Sequence, residues 1–414
     1  MRAQVLAALL GALAACGGSK DPGTTGTWRL AAPMLEPRAW HAMVVLPSGQ
    51  VLVSGGFQAE RADFTKTCIG LAELYDPVTG TWRATAPMLI GRCQHAAVLL
   101  EDGRVLVAGG YEAMVNDPLS GLPDGAHAIP LRSAELFDPA TESWAPTGEM
   151  GRAHEVSGGQ PAAHRLGDGR VLFATDWWEA AGAYSEGLET QLFDPATGTW
   201  SEAGPLPSLQ AGPSVLLPSG EVLTAGGWGP GVSFTRDAAR FRPDGGGWQA
   251  AAPLPGPALG HVLVLLGDGR VLAFGGCARG DDSLTCDVPV GTVGHLYDPT
   301  TGAWSPTRAA SMPRYRGRGV TLPSGRALLV SGNTPFRISS TETDPAPAPA
   351  GEIYDPWLDA WLVTPVLPHY LQADGAVALL QTGEVMLTGG TIDAGPAAGL
   401  SGNRGISTVQ LFRE

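Results

Sequence analysis

The stretch Asp76-Pro77-Val78-Thr79-Gly80-Thr81-Trp82 decides the fold, because the chain repeats it. Close copies run from Asp138 to Trp144, from Asp194 to Trp200 and from Asp298 to Trp304. Asp followed by Pro is typical of a tight turn, since Asp bonds the local backbone and Pro fixes φ. A unit that returns at roughly 50-residue intervals predicts a repeat architecture whose shared residues are mostly structural.

One complete unit predicts four short strands. The apolar runs 95–100, 105–108 and 134–137 are the first three strands, and Trp144 lies on the fourth. Asp102-Gly103 suits a two-residue hairpin between the first two strands, because both positions tolerate positive φ. Four antiparallel strands per unit, repeated radially, predict a β-propeller.

The number of units follows from the fourth-strand tryptophan. It recurs at Trp28, Trp82, Trp144, Trp200, Trp248, Trp304 and Trp361. The chain enters with a fourth strand at 26–30 and leaves with a third strand at 409–412. The two would complete one blade and leave no exposed edge there. We therefore predict an all-β, seven-bladed propeller over residues 24–414, closed by the N-terminal strand.

These residues resemble the Kelch repeat, in the form related to the central domain of galactose oxidase. The resemblance covers nearly all of 24–414 and includes a Gly-Gly pair after the second strand, at 55–56, 109–110, 226–227, 275–276 and 389–390. It implies ligand binding on the loops between blades. A copper oxidase is not expected, because the chain ends with its last blade and its cysteines have better partners in each other.

The N-terminal segment is predicted to be a signal peptide over residues 1–15. Its end, Leu13-Ala14-Ala15-Cys16, resembles a bacterial lipobox, which implies acyl groups on Cys16 and a tether over 16–23. Gly17 after the cysteine favours the outer membrane. The alternative is a plain secretory signal with an incidental cysteine.

Charge and cysteine content limit the partners. The formal net charge is −14, which argues against nucleic acid or anionic lipid as the main partner. Four cysteines remain after Cys16, and four allow three pairings. The repeat alignment favours Cys68–Cys93 and Cys277–Cys286. No Cys/His spacing predicts a zinc site, and we expect no metal or cofactor.

Unit three departs from the repeat. Thr175-Asp176 replaces Gly-Gly and is followed by Trp177, Trp178 and Glu179. Departure from a local rule often marks a functional site. An exposed Trp beside a carboxylate suits sugar stacking or peptide capture. The alternative is a repacked blade that buries both rings.

Arginines form a second candidate site. Arg38, Arg92 and Arg314 are in register, and the last opens the run Tyr315, Arg316, Gly317, Arg318. Radial equivalence would place their guanidinium groups around one mouth of the channel, ready for anions. The alternative is a repeat residue paired to nearby backbone. His41, His95 and His261 are also in register, but they belong to separate blades and are interpreted as repeat residues rather than as a metal site.

The sequence therefore favours a non-catalytic, monomeric binding module of the cell envelope that recognises protein or glycan and meets the membrane only through its lipid. No nucleophile elbow, zinc-protease or phosphate-loop motif is present. The alternatives are a sugar-active enzyme of the epimerase or mutarotase kind and a purely structural envelope protein.

Overall fold

The structure is a seven-bladed β-propeller, as predicted. This computed structural model describes residues 24–58, 66–116, 126–153, 163–174, 189–208, 212–229, 233–279, 288–333, 350–369, 374–393 and 403–414. The described residues form seven four-stranded antiparallel sheets, one for each repeat unit. The signal peptide and tether predicted over 1–23 lie outside them.

Each blade follows the order first, second, third and fourth strand from the channel outwards. The strands of blade 1 are Ala42–Val45, Val51–Ser54, Ala72–Asp76 and Thr81–Ala84, and those of blade 2 are Ala96–Leu99, Val105–Ala108, Ala134–Asp138 and Ser143–Pro146. The strands of blade 3 are Ala163–Arg165, Val171–Phe173, Glu189–Asp194 and Thr199–Pro205, and those of blade 4 are Ser214–Leu216, Val222–Ala225, Ala238–Arg242 and Gly247–Ala251. Those of blades 5 to 7 are Val262–Leu265, Val271–Phe274, Val293–Asp298 and Ala303–Ala309; Arg318–Thr321, Ala327–Val330, Ala350–Asp355 and Ala360–Val366; Ala376–Leu379, Val385–Thr388, Val409–Arg413 and Thr27–Leu30.

Blade 7 closes the ring with both ends of the chain. Thr27–Leu30 pairs antiparallel with Val409–Arg413, with Trp28 opposite Phe412. This pairing confirms the predicted closure, in which the N-terminal strand is the fourth strand of the C-terminal blade.

The two faces of the ring differ. One, the turn face, carries the hairpins between first and second strands and the turns between third and fourth strands. The other, the loop face, carries the segments between second and third strands and the linkers between blades. Among the described residues, short extra strands on the loop face extend five blades, at Lys66–Thr67, Tyr111–Asn116, Ala126–Pro130, Trp228–Gly229, Ser233–Phe234, Cys277–Arg279, Val288–Pro289, Thr391–Asp393 and Asn403–Gly405.

The seven repeat tryptophans join each blade to the blade before it. Each indole N–H donates a hydrogen bond to the preceding blade, at 2.7–3.1 Å. Trp144, for example, donates to the carbonyl of Ala86, which follows the last strand of blade 1. Its ring also packs on Phe137 of its own blade, with centroids 5.0 Å apart. The residue therefore fills the gap between two sheets and satisfies a backbone acceptor there.

The Gly-Gly pairs make a second junction between blades. A Cβ at Gly55 would stand 2.3 Å from the carbonyl oxygen of Arg92 in the next blade and 2.7 Å from the ring of His95. The N–H of Gly56 donates to that same Arg92 carbonyl at 2.9 Å. Both glycines have positive φ, so the repeat needs glycine here for space and for backbone conformation.

We expect Trp144→Phe to lower the free energy of unfolding by about 0.5–1.5 kcal/mol, because the hydrogen bond to the Ala86 carbonyl of the preceding blade is lost while most of the ring packing stays. Chemical denaturation followed by circular dichroism measures the change. Trp357→Phe is the matched control, since Trp357 is exposed and should change stability by less than about 0.5 kcal/mol. Equal effects in the two variants would contradict the role given to the indole N–H.

Candidate functional site

The loop face of blades 1 and 2 forms one connected platform. Lys66–Thr67 from blade 1 pairs with Tyr111–Asn116 from blade 2, which pairs in turn with Ala126–Pro130. A disulfide between Cys68 and Cys93 joins the same two blades, the pairing that the repeat alignment favours. The segments from two blades are thus held together by backbone and covalent bonds.

A second bridge was predicted in blade 5. Cys277 is disulfide-bonded, and Cys286, its predicted partner, lies outside the described residues.

The register arginines are buried and paired within their own blades. Arg38 and Arg92 are fully buried, and Arg314 is 3% exposed. The three pair with a glutamate on the third strand, respectively Glu73, Glu135 and Glu352. Each also donates to two backbone carbonyls of its blade. Burial lowers the pKa of all three guanidinium groups, and the neighbouring carboxylate opposes that shift. This geometry fits the repeat-residue interpretation and leaves these groups no exposed surface for an anion.

The same glutamates also hold the linker that precedes their blade, while the paired arginine balances their charge. The carboxylate of Glu135 accepts hydrogen bonds from the backbone N–H groups of Leu89 and Ile90 in the linker before its blade. Gln191 and Gln410 occupy the same place in blades 3 and 7 and accept the equivalent linker N–H. The sequence contained this signal, because glutamate stands at this third-strand position only in the three units that have the arginine.

We expect Glu135→Gln to destabilise the protein by about 3–5 kcal/mol, because Arg92 is left buried without a counter-charge. Arg92→Gln together with Glu135→Gln should recover a large part of this loss, since blade 7 has glutamine at both positions. A double-mutant cycle by chemical denaturation measures the coupling. Additive losses would show that the two side chains act independently.

A ring of left-handed residues surrounds the channel on the loop face. In blades 1, 2, 5, 6 and 7 the residue two positions before the first strand has positive φ, with values from 48° to 68°, at Trp40, Gln94, Gly260, Arg316 and Asp374. Backbone hydrogen bonds link these positions from blade to blade, from Trp40 to Asp374, from Gln94 to Trp40 and from Arg316 to Gly260. Non-glycine residues in this conformation are strained and cluster at functional sites. We call this ring, with the residues facing it, the channel mouth.

One side of the channel mouth is charged. Arg316 of blade 6 donates to the carboxylate of Asp374 in blade 7 at 2.7 Å, and Thr391 donates to the other carboxylate oxygen at 3.3 Å. Burial lowers the pKa of Arg316, but Asp374 outweighs it and raises the pKa above the ordinary value. Of the predicted arginine cluster, Arg316 is therefore the member that the structure leaves partly exposed at the mouth.

The other members of the cluster lie deeper. Tyr315 is 3% exposed, and Arg318 is 4% exposed below the mouth. The Nε of Arg318 donates to the carbonyl of Gly375 at 2.8 Å. Burial lowers the pKa of Arg318 to about 10. A narrow crevice beside it, between blades 5 and 6, has no room for a water molecule.

The neighbouring part of the channel mouth, in blade 1, is aromatic. Trp40 packs on Phe57, with ring centroids 4.7 Å apart, and on Tyr111 of blade 2 at 6.1 Å. Tyr111 also helps to raise the pKa of Arg316. Trp40 is the partly exposed ring of this group, because Phe57 and Tyr111 are buried. An aromatic ring beside an ion pair can hold a ligand with one flat apolar side and one polar side.

The in-register histidines are structural. His41 and His95 are buried, and each shares a hydrogen bond with a hydroxyl of the preceding blade, Thr388 and Ser54. Burial lowers the pKa of His95 to about 3, and that of His261 to about 4. They do not converge, and the described residues contain no group of three or more His, Cys, Asp or Glu side chains placed to hold a metal ion.

The buried histidines predict a loss of stability in mild acid. Their pKa in the folded state lies below the ordinary value of about 6.5, so only the unfolded chain takes up protons between about pH 6.5 and 4. The free energy of unfolding should fall over that window by about 1.4 kcal/mol per pH unit for each such histidine. His261→Asn should remove one such contribution from the slope measured by denaturation between pH 7 and 5. His369→Asn, at an exposed position, is the control, and an unchanged slope for His261→Asn would contradict the assignment.

The other predicted site cannot be placed. Asp176, Trp177, Trp178 and Glu179 lie outside the described residues. In the sequence they follow the second strand of blade 3.

Known proteins share this repeat and this ring. Kelch-like protein 35 of Mus musculus is 28% identical over 225 residues, which are 54% of this chain and 32% of that protein. An F-box/kelch-repeat protein of Arabidopsis thaliana is 32% identical over 145 residues, 34% of this chain and 31% of that protein. These matches support a Kelch-type propeller. The chain spans about a third of the length of these relatives, and no family model matches it.

Solved structures agree on the fold alone. A fungal alcohol oxidase of the AA5 family, in complex with copper, has a TM-score of 0.66 at 17% identity, over 94% of this chain and 76% of that one. The structure of YjhT has a TM-score of 0.53 at 16% identity, over 81% of this chain and 99% of that one.

Proposed function

We propose that the chain is a non-catalytic, monomeric binding protein of the bacterial cell envelope, held by lipid on Cys16 and presenting its loop face to a protein partner. The observation that carries the proposal is the connected platform over blades 1 and 2. A surface whose segments are joined before binding loses little conformational entropy on binding.

Exposed aliphatic side chains on this platform favour a protein partner. Leu35, Leu71, Leu89 and Ile129 are between 41% and 60% exposed, and all four belong to the loop-face segments of blades 1 and 2. Apolar groups gathered on one sector of a surface are typical of protein interaction sites, whereas scattered ones are ordinary. The Kelch-type relatives are compatible with such a module, and the envelope location rests on the lipobox-like sequence.

A sugar-active enzyme is the second candidate, and the channel mouth favours it. The Arg316–Asp374 ion pair lies next to Trp40, whose backbone N–H donates to the Asp374 carbonyl, and an aromatic ring with polar neighbours suits a sugar ring. Asp176 and Glu179 would complete an acidic side only if they reach this mouth.

Charge substitutions on the platform test the first candidate. We expect the pair Leu35→Asp and Leu89→Asp to abolish cross-linking of the whole chain to its envelope partner, because a charge in an apolar contact must be desolvated. Val78→Asp on the turn face is the control, since Val78 is 91% exposed and lies on the other side of the ring. A partner lost equally in both variants, or retained in the platform variant, would contradict the proposal.

Two further measurements test the sugar-active alternative and the lipid anchor separately. A glycan array with the whole chain and with Arg316→Gln tests the sugar candidate, which fails if no glycan binds or if binding ignores the substitution. Palmitate labelling of cells tests the anchor, which fails if label persists in Cys16→Ser.

A further inference from the structure

The blade-6 turn presents two apolar side chains to solvent. Trp357 is 57% exposed and Leu358 is 69% exposed. In five other blades the two residues at the same place in the turn between third and fourth strands are small or polar, apart from Val78. These pairs are Val78-Thr79, Ala140-Thr141, Ala196-Thr197, Asp244-Gly245 and Thr300-Thr301. Blade 6 alone among these turns carries a tryptophan followed by a leucine.

The turn holds the pair in place. The carboxylate of Asp355 accepts hydrogen bonds from the N–H groups of Trp357 and Leu358 at 3.0 and 3.1 Å. Arg270 of blade 5 donates to the carbonyl of Pro356 at 2.9 Å. The backbone is therefore fixed from two sides, and the apolar side chains stay on the turn face.

The described chain begins beside this turn. Thr24 forms a parallel bridge with Val363 on the fourth strand of blade 6, and Thr25 donates to the Val363 carbonyl at 2.9 Å. Because the bridge is parallel, Thr24 and Thr25 run in the same direction as Val363 and Thr364, away from the Trp357 turn. Val363 is the fifth residue after Leu358, so the two Cα atoms are at most about 17 Å apart.

The predicted anchor can reach the same side. The eight steps from Cys16 to Thr24 span at most about 27 Å. We infer that Trp357 and Leu358 contact the phospholipid bilayer that holds the acyl chains of Cys16, so that the turn face rests on the membrane and the loop face points away from it. This inference rests on the lipid anchor in the proposed function and adds an orientation to it.

The chemistry of the turn fits a bilayer surface. Tryptophan is enriched at the membrane–water interface, where its ring is apolar and its N–H is wet. Neighbouring charges are paired, Arg326 with Asp355 and Glu414, and Arg308 with Asp359, so the turn carries no strong field of either sign. A weak contact is sufficient, because the tether keeps the effective concentration of bilayer high.

Quenching by brominated lipid tests the contact. The acylated whole chain is reconstituted into phosphatidylcholine vesicles with and without dibrominated acyl chains, and tryptophan emission is compared. Brominated lipid should reduce the total tryptophan emission by no more than one of the 12 tryptophans contributes. The Trp357→Phe variant should lose this quenching. Trp228→Phe is the matched control on the loop face and should keep it.

Each other outcome overturns the inference. Vesicle-bound chain with no quenching would retain the anchor and remove the Trp357 contact. Quenching lost in Trp228→Phe instead would mean that the loop face meets the membrane. A lipid-free dimer that Trp357→Phe dissociates would assign the turn to a second copy. A chain without acyl groups on Cys16 would remove the anchor and this inference together, while partner cross-linking at Leu35 and Leu89 would still be decided by its own variants.

Discussion

The hydrogen bond from each repeat tryptophan to the preceding blade is the interaction on which the ring depends. A propeller blade has no helix to cover its faces, so every sheet must bury both faces against its neighbours. The indole ring fills the wedge between sheets, and its N–H binds a backbone carbonyl or a threonine hydroxyl of the preceding blade. The Gly-Gly junction also joins neighbouring blades, nearer the channel, where the backbones of two blades pack directly against each other. The remaining features of the molecule are variations on these two contacts.

The fold could be predicted because these contacts require particular residues in fixed places. Glycine at Gly55 cannot be replaced without a clash with the Arg92 carbonyl, and the indole of Trp144 has a specific acceptor. The tryptophan recurs in all seven units and the Gly-Gly pair in five, so register and blade number could be counted from the sequence. The closing strand could be predicted in the same way, because Thr27–Leu30 contains the tryptophan of a fourth strand but is not preceded by the first three strands of a unit.

The candidate site was harder to predict, because repeat register shows where a residue stands and not what it faces. Arg38 and Arg92 are in register with Arg314, yet all three point into their own blades towards a glutamate. Arg316, two residues later, does reach the channel mouth because the left-handed backbone turns it there. The ion pair with Asp374 joins residues of different blades that no spacing rule connects. Asp374 and Trp40 belong to the same ring of positions and were not identified from the sequence.

The closing strand also affects when the protein can fold. Trp28 lies near the beginning of the chain and pairs with Phe412 near its end, so the seventh sheet requires a loop closure across almost the whole sequence. Contacts of such long range form late and make folding slow. Until Val409–Arg413 has been synthesised, Thr27–Leu30 has no partner and the ring stays open. In the order of folding, the closing pair of blade 7 therefore comes after the sheets whose strands are close together in the sequence.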